Sequence, residues 1–160
     1  MPPPRAWIAI AGPGEAAPWE LEAAEDTGAA VAEAGCGLVC GGLGGVMEAA
    51  CRGARSRGGL TVGLLPGTDR DAANGWVVVA LPTGLGEARN ALVVRAADAV
   101  VAIGGGWGTL SEIALALKAG IPVVGVGTWE LARDGTVVEG VVAASDPRAA
   151  VAEALRLCGG

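Results

Sequence analysis

The amino-acid sequence predicts an α/β fold in which a mostly parallel sheet is flanked by helices. Short β-branched runs alternate along the chain with longer stretches of helical character, which is typical of parallel α/β domains. Of the 160 residues, 52% are hydrophobic and none is Phe or Tyr, so the core must be built from Val, Ala, Leu and Ile. The length, and an alternation without a linker or a repeat, predict a single domain over residues 1–160.

The first half of the chain predicts three strands separated by two helices. The apolar run at residues 6–11 predicts a strand, and the helix that follows carries acidic residues near its positive end. A Gly-Gly pair ends the next helix, and Pro-Gly stops the third strand. In order, we expect a strand at 6–11, a helix at 18–34, a strand at 38–40, a helix at 46–57 and a strand at 61–65.

The second half begins with a polar loop at residues 68–75 and contains the most informative unit of the chain. There a β-branched run meets a glycine turn at residues 104–108, and an apolar helix and a second β-branched run follow. In order, we expect a strand at 76–81, a helix at 86–97, a strand at 99–103, a helix from Thr109 to near Gly120, a strand at 122–126, a strand at 137–142 and a helix at 147–158.

Three glycine turns follow predicted strands, at residues 12–17, 41–45 and 104–108. The carboxyl ends of parallel strands share one edge of a sheet, so the three turns should gather around one crevice. Glycine lets backbone N–H groups approach a ligand, and a helix start presents unpaired N–H groups with a partial positive charge. The third turn therefore predicts a phosphate site, with tight packing of the turn as the alternative interpretation.

The first turn also fits the dinucleotide fingerprint GxGxxA, from Gly12 through Gly14 to Ala17. That fingerprint needs a carboxylate at the end of the second strand to hold a ribose hydroxyl. The second predicted strand ends Val39-Cys40-Gly41, without a carboxylate. The sequence therefore disfavours NAD as the ligand.

Composition excludes several classes of function. The formal net charge of −6 disfavours binding to nucleic acid, which usually needs a basic face. No apolar run reaches the length of a membrane span, and the N-terminal residues lack the order of a signal peptide, so we expect a cytoplasmic protein with no membrane partner. The four cysteines lack CxxC spacing and the chain has no His, so we expect free thiols, no metal site and no cofactor.

Two segments resemble the Lonely guy (LOG) family and its wider group of Rossmann-like nucleotide-binding proteins. Residues 41–67, GGLGGVMEAACRGARSRGGLTVGLLPG, are similar to the family run GGxxGLMGxxAxGA…GGxxxGxxP. Residues 86–112, GEARNALVVRAADAVVAIGGGWGTLSE, are similar to MxxRKxxM…ADAxxxLPGGxGTxxE. With the strand pattern, the match covers nearly the whole chain. The resemblance implies a Rossmann-like three-layer sandwich and a homodimer.

The resemblance implies two functions that remain open. Family members near the plant hormone enzymes cleave the N-glycosidic bond of nucleoside 5′-monophosphates, which releases the base and ribose 5-phosphate. The leading expectation is such a phosphoribohydrolase, and the alternative is a non-catalytic carrier or sensor of a nucleotide or molybdopterin cofactor. Gly104 stands where the family has Pro, Asn90 where the enzymes have Lys, and Glu48 where they have Gly. These departures and the short chain look more like the branch that includes a molybdenum-cofactor carrier.

By resemblance, Glu112 and Arg89 are the candidate catalytic residues. Glu112 would stabilise the positive charge that develops on the sugar or would orient water, and Arg89 would assist at the substrate. The alternative for Glu112 is a capping box with Thr109 at a helix start. Trp107 would either stack on a base or only cover the glycine loop. The predicted ligand-binding residues are Gly12, Gly14, Gly42, Gly44, Gly45, Met47, Asn90, Gly104, Gly105, Gly106, Trp107, Gly108 and Thr109.

Many relatives carry the label lysine decarboxylase, which the sequence argues against. A decarboxylase that uses pyridoxal phosphate holds it as a Schiff base on a lysine. The only lysine is Lys118, near the far end of the helix whose start faces the predicted crevice. We therefore expect no decarboxylation. The ligand that the glycine turns and the resemblance imply is a phosphorylated nucleotide-type small molecule.

Overall fold

Seven parallel strands form the central sheet of the computed structural model, which describes residues 2–159. Its strands are β1 (Trp7–Ala11), β2 (Gly37–Cys40), β3 (Thr61–Leu65), β4 (Val79–Pro82), β5 (Ala99–Ile103), β6 (Val123–Val126) and β9 (Val141–Ala143). Their spatial order is β4-β3-β2-β1-β5-β6-β9. The fold class is confirmed as a Rossmann-like α/β sandwich.

Five helices cover both faces of the sheet and bury its apolar side chains. One layer contains α1 (Pro18–Glu33), α2 (Val46–Ser56) and α5 (Pro147–Leu157), which pack against one another. The other layer contains α3 (Arg89–Arg95) and α4 (Trp107–Lys118). Every residue of β5 is buried, as expected for a central parallel strand with helices on both sides.

The order of the strands reverses between β1 and β5, and this places the site. From β1 the chain proceeds through β2, β3 and β4 to one edge of the sheet, and β5 then starts the other half. α1 follows β1 on one face, and α4 follows β5 on the other face. The turns at the carboxyl ends of these two strands therefore diverge and leave a crevice, which is where open α/β sheets bind ligands.

The structure differs from the sequence-based elements mainly at residues 137–142, which were predicted as one strand. Thr136–Val137 instead forms β8, which pairs antiparallel with β7 (Ala132–Arg133), and β9 begins only at Val141. Asp134 and Gly135 both have positive φ values, of 51° and 75°, and so build the tight hairpin turn between β7 and β8.

Smaller corrections concern three element starts. The strand predicted at residues 76–81 begins at Val79. A turn precedes it, in which the side-chain oxygen of Asn74 accepts a hydrogen bond from the Trp76 N–H. The helix predicted at residues 86–97 opens with a 3-10 turn, Gly86–Ala88, before α3. The helix predicted from Thr109 begins at Trp107. Among residues 2–159, no helix is long and apolar enough to cross a membrane.

Candidate functional site

A crevice of about 460 Å³ opens at the switch point between β1 and β5 and extends towards β3. This volume lies within the range of about 300–1,000 Å³ that is usual for small-molecule sites. Residues from all three glycine turns line it, as the sequence predicted. The predicted site residues that line the crevice are Gly12, Gly14, Met47, Arg89, Asn90, Gly106, Gly108, Thr109 and Glu112.

The other predicted site residues lie in the turns but outside the crevice lining, because their backbones face other parts of the protein. Gly42 faces β3, Gly104 faces the Glu20 side chain, and Gly105 faces the indole of Trp129. Gly44 and Gly45 both face the backbone of the first turn, Gly45 closely and Gly44 at ordinary contact distance from the Gly14 carbonyl. Trp107 lines a neighbouring groove, described below. A direct contact between these residues and a ligand stays a prediction.

The N-termini of α1, α2 and α4, which follow the three glycine turns, differ in which protein groups accept hydrogen bonds from them or place an acid there. At α1, the Glu20 carboxylate accepts a hydrogen bond of 2.7 Å from the Ala17 N–H. At α2, the Val46 N–H donates to the Pro13 carbonyl at 3.0 Å, and Glu48 lies in the first turn. At α4, no side chain caps the helix and the first turn contains no acidic residue. The α4 start therefore keeps N–H groups and a positive dipole end for a ligand.

Thr109 is the third residue of α4, so the predicted capping box with Glu112 is wrong. The N-cap residue is Gly106, which places Glu112 in the second turn of the helix, too late to reach back to the cap. Thr109 is 2% exposed, and its hydroxyl has no hydrogen-bond partner among residues 2–159. A buried hydroxyl without a partner is costly, and this one is in the crevice lining.

Arg89 starts α3 and is buried beneath the second glycine turn. Its guanidinium lies against Gly41, where an added Cβ would approach the Nη2 atom to 2.7 Å. The Nη1 atom donates to the Asn90 side-chain oxygen, while the Nε atom is buried without a partner among the described residues. The crevice therefore contains a buried cation with a free donor.

Asn90 connects Arg89 to the start of α4. Its Nδ2 atom donates to the Ser111 hydroxyl at 3.1 Å, and that hydroxyl donates to the Gly108 carbonyl at 2.8 Å. Asn90 thus orients the Arg89 guanidinium and links α3 to α4. Ser111 was missed by sequence analysis, since one serine in an apolar helix carries no distinguishing pattern.

Glu112 lies deeper in the same crevice and is 7% exposed. Burial raises the pKa of its carboxyl from 4.5 to about 7, and the nearby Arg89 charge opposes the rise. Among residues 2–159, no group donates a hydrogen bond to this carboxylate, and Arg89 does not approach it within ion-pair distance. Near neutral pH Glu112 can therefore either donate or accept a proton.

Sequence analysis missed five further residues that line the crevice. Leu43 and Pro66 give it apolar walls beside Met47, while Glu15 and Glu87 add exposed carboxylates at its rim. Pro13 completes the first turn. All five lie within loops or turns after strands, so position at a strand's carboxyl end was the signal that could have identified them.

A second groove, of about 510 Å³, adjoins the crevice on the outer side of α3 and α4. We call it the Trp107 groove. Trp107 is 79% exposed, and its ring centroid lies 5.4 Å from that of Trp129. The Trp129 indole N–H donates to the Gly106 carbonyl at 3.3 Å. The groove is lined by Glu87, Ala88, Asn90, Ala91, Trp107, Gly108, Ser111 and Leu115.

A separate cavity of about 480 Å³ lies between β6, β9 and the β7–β8 hairpin. Its charged lining residues are Glu130 and Glu139, and none of its lining residues is Arg or Lys. It therefore suits an anion less well than the crevice does. The Thr128 hydroxyl in its wall is buried without a hydrogen-bond partner in the described chain.

The cysteines and the lysine lie away from the crevice lining. Cys40 and Cys51 are buried with their sulfurs 3.6 Å apart, and the Gly42 N–H donates to the Cys40 sulfur. Within residues 2–159, no cluster of three or more potential metal ligands occurs. Lys118 is exposed at the carboxyl end of α4, roughly 16 Å along the helix axis from its start. That distance agrees with the argument against a Schiff base in the crevice.

Comparison with known proteins places the whole chain in one group. Residues 5–151 match the model of the SLOG cluster4 family. An uncharacterized protein of Archaeoglobus fulgidus is 40% identical over 144 residues, which cover 90% of this chain and 91% of that protein.

Two solved structures are similar over nearly their full lengths. The molybdenum cofactor binding protein from the phototrophic bacterium Rippkaea orientalis is 38% identical with a TM-score of 0.84, and the match covers 96% of each chain. The molybdenum cofactor carrier protein of Chlamydomonas reinhardtii is 35% identical with a TM-score of 0.86, and the match covers 98% of this chain and 100% of that one.

Proposed function

The chain belongs to the SLOG cluster4 family, and we propose that it binds a phosphorylated pterin of the molybdenum-cofactor type in the crevice and carries it uncleaved. The observation that carries this proposal is the convergence of unpartnered donors on one anion site. They are the first-turn N–H groups of α4, the buried Thr109 hydroxyl and the Arg89 Nε atom. The names of the two similar structures support the choice of a cofactor as cargo.

The phosphate group of such a ligand fits the start of α4. Backbone N–H groups and the helix dipole favour an anion there, and the Thr109 hydroxyl and Arg89 would each gain the partner that the protein does not provide. Among the described residues, the starts of α1 and α2 already have an acceptor or an acidic residue in place. The phosphate therefore has one preferred position.

The rest of the crevice suits a ring that carries N–H groups. The apolar walls at Leu43, Met47 and Pro66 exclude water from a flat ring, and the carboxylates of Glu15 and Glu87 can accept from ring N–H or amino groups. A simple inorganic anion would gain nothing from these carboxylates. A pterin and a nucleobase both combine a phosphate with such an edge.

Transport without cleavage follows from the residues around Arg89. Asn90 holds the guanidinium and removes the second positive charge that the LOG-like enzymes carry as Lys. A site with one cation stabilises less of the negative charge that gathers on a leaving base. The molybdenum cofactor would be the cargo, and the role of the chain would be to hold its phosphate and shield its ring.

Anaerobic gel filtration tests the carrier proposal. Molybdenum cofactor released from a denatured molybdoenzyme is mixed with the protein, and the protein peak is analysed for molybdenum and for the fluorescence of oxidised pterin. We expect both to co-elute with the protein in near-equal molar amounts. Folded protein that elutes free of molybdenum and of pterin contradicts the proposal.

A second candidate function is the phosphoribohydrolase, which the state of Glu112 favours. A buried carboxyl with a pKa of about 7 beside a buried arginine is suited to proton transfer near neutral pH. Incubation with a panel of nucleoside 5′-monophosphates, with free base measured by chromatography, separates the two candidates. Release of base that is lost in Glu112→Gln supports the hydrolase, and binding without release supports the carrier.

A homodimer is a further part of this proposal. Leu85 and Leu92 are large apolar side chains that are more than 40% exposed on the side of the sheet that carries α3 and α4. Sedimentation equilibrium should give twice the mass of the chain. A mass equal to one chain at micromolar concentration contradicts the dimer.

A further inference from the structure

The crevice and the Trp107 groove are two compartments of one continuous surface. Three residues line both of them: Glu87, Asn90 and Gly108. Gly108 lies in the first turn of α4, so the proposed phosphate position is at the junction of the two compartments. A group bound there can extend in either direction.

The Trp107 groove combines an exposed indole with small and apolar neighbours. Besides Trp107, its apolar lining residues are Ala88, Ala91 and Leu115. Trp107 is 79% exposed, which is unusual for so large an apolar side chain. The indole is nonetheless held in place, because it packs on Trp129, which is itself tied to the Gly106 carbonyl. A fixed, exposed indole next to an anion site is suited to stacking on an aromatic ring.

We propose that the two compartments together bind a dinucleotide-type ligand, in which a diphosphate at the start of α4 joins one ring in the crevice to a second ring stacked on Trp107. This inference rests on the proposed function and extends it, since a phosphorylated pterin alone would leave the Trp107 groove unused. Two unpartnered buried donors, Thr109 Oγ1 and Arg89 Nε, belong to residues that line the crevice near this junction.

The groove selects for the presence of a second ring more than for its identity. Stacking on an indole uses the π face, which every base has. The polar side chains in the groove lining are those of Glu87, Asn90 and Ser111. Asn90 is already hydrogen-bonded to Arg89 and Ser111, and Ser111 to the Gly108 carbonyl, which leaves the exposed Glu87 carboxylate. We therefore expect a purine and a pyrimidine nucleoside to be accepted on this side.

Titration calorimetry with GMP, GDP and diguanosine diphosphate tests the proposal on the full chain. Guanine shares the 2-amino-4-oxo edge of a pterin, and GDP is the matched probe that has the diphosphate without the second nucleoside. We expect diguanosine diphosphate to bind about tenfold more tightly than GDP, as one stacked base provides. In Trp107→Ala this advantage should fall below about twofold, while the Kd for GMP stays within about twofold of the wild-type value.

Trp76→Ala is the matched control, because Trp76 is also exposed but lies in neither compartment. It should keep the tenfold advantage.

Equal affinities for GDP and diguanosine diphosphate in the wild-type protein overturn the inference and leave the phosphate site standing if GMP still binds. An advantage that persists in Trp107→Ala also overturns it. So does a Trp107→Ala variant that changes the sedimentation coefficient but not the affinity for diguanosine diphosphate, since the groove would then be a contact between two copies of the chain. Failure of all three probes to bind overturns both the inference and the phosphate site.

Discussion

The glycine turns on the two sides of the switch point look alike in sequence but differ in whether a protein carboxylate accepts a hydrogen bond at the helix start. One of them, residues 12–17, joins β1 to α1, and the other, residues 104–108, joins β5 to α4. The Glu20 carboxylate closes the α1 start by accepting from the Ala17 N–H at 2.7 Å. The α4 start has no capping side chain and no acid in its first turn. A glycine turn before a helix is therefore an anion site only if the chain itself does not supply the anion.

Gly14 and Gly104, one glycine from each turn, differ in how tightly they are packed. A Cβ added at Gly14 would meet nothing within 4 Å, whereas one added at Gly104 would lie 1.9 Å from the Glu20 Oε1 atom. Gly104 has a φ of +61° as well. The carboxylate that caps α1 thus also lies against the backbone of Gly104, so the Glu20 side chain contacts both turns.

The largest expected effect is that of Gly104→Pro, which introduces the residue that the LOG family has at this position. Proline cannot adopt a φ of +61°, and it removes the N–H that donates to the Val126 carbonyl at 3.1 Å. We expect a loss of at least about 3 kcal/mol in the free energy of unfolding. Urea unfolding of Gly104→Pro and of Gly14→Ala measures the difference, and Gly14→Ala should change stability by less than about 1 kcal/mol.

The milder substitution Gly104→Ala separates backbone strain from the clash with Glu20. Its Cβ would displace the Glu20 carboxylate and so break the cap at Ala17, in addition to the cost of the positive φ. In the double variant with Glu20→Ala, the two effects should overlap. The loss in unfolding free energy should therefore be about 1 kcal/mol smaller than the sum of the losses of the two single variants. Strict additivity would show that the turns are independent.

The next largest effect concerns Glu112, on the second turn of α4. Its folded-state pKa is about 7 against an ordinary value of 4.5, so the folded protein holds this proton more tightly than the unfolded chain does. Its contribution to stability is therefore fully present below about pH 4.5 and is lost as the pH rises to about 7. The loss corresponds to about 3 kcal/mol.

Glu112→Gln should remove this pH dependence. The difference in unfolding free energy between the variant and the wild-type protein should grow in favour of the variant by about 3 kcal/mol between pH 4.5 and pH 8. Urea unfolding at several pH values measures it. Parallel curves for the two proteins would show that Glu112 is not desolvated in solution.

The regular elements and the position of the crevice could be predicted from the sequence, because apolar runs and glycine turns are local signals. Residues 61–65 and 99–103 were predicted with the bounds that β3 and β5 have. The start of α4 was predicted two residues late, and that error alone produced the wrong capping box for Thr109 and Glu112.

Other features depend on contacts that no local pattern encodes. Whether the Glu20 side chain folds back on the helix start depends on the extended backbone of Ala17, with φ −69° and ψ 157°. The burial of Arg89 depends on Gly41, which is 48 positions earlier in the chain and leaves room for the guanidinium. The β7–β8 hairpin is a different case, because Asp134-Gly135 is a local signal for a tight hairpin turn, whereas strands of only two residues each carry no alternating pattern that would mark them.

A smaller effect is expected for the Thr109 hydroxyl at the α4 start. Thr109→Val keeps the shape of the side chain and removes a buried hydroxyl that has no protein partner. Binding of GMP should weaken about tenfold, because a hydrogen bond to a charged phosphate is lost, while the thermal midpoint stays level or rises.

Thr128→Val is the matched control, since the Thr128 hydroxyl is also buried and unpartnered but lies in the cavity beside β9. It should have a similar effect on stability and leave the GMP affinity within about twofold. Equal binding losses in both variants would show that the α4 start is not the phosphate position.

The smallest expected effect comes from Glu20→Gln at the α1 start. The amide oxygen can still accept from the Ala17 N–H, so only the charge and its interaction with the helix dipole are lost. Stability should fall by less than about 1 kcal/mol, and the affinity for GMP should rise by no more than about twofold, through weaker repulsion of a phosphate bound at α4. Glu22→Gln removes the same charge from an exposed position on α1 without touching the cap, and it should match the small change in affinity. If Glu20→Gln instead raised the affinity tenfold or more while Glu22→Gln did not, the α1 start would be the anion site that its own carboxylate normally blocks, and the contrast between the two turns would be reversed.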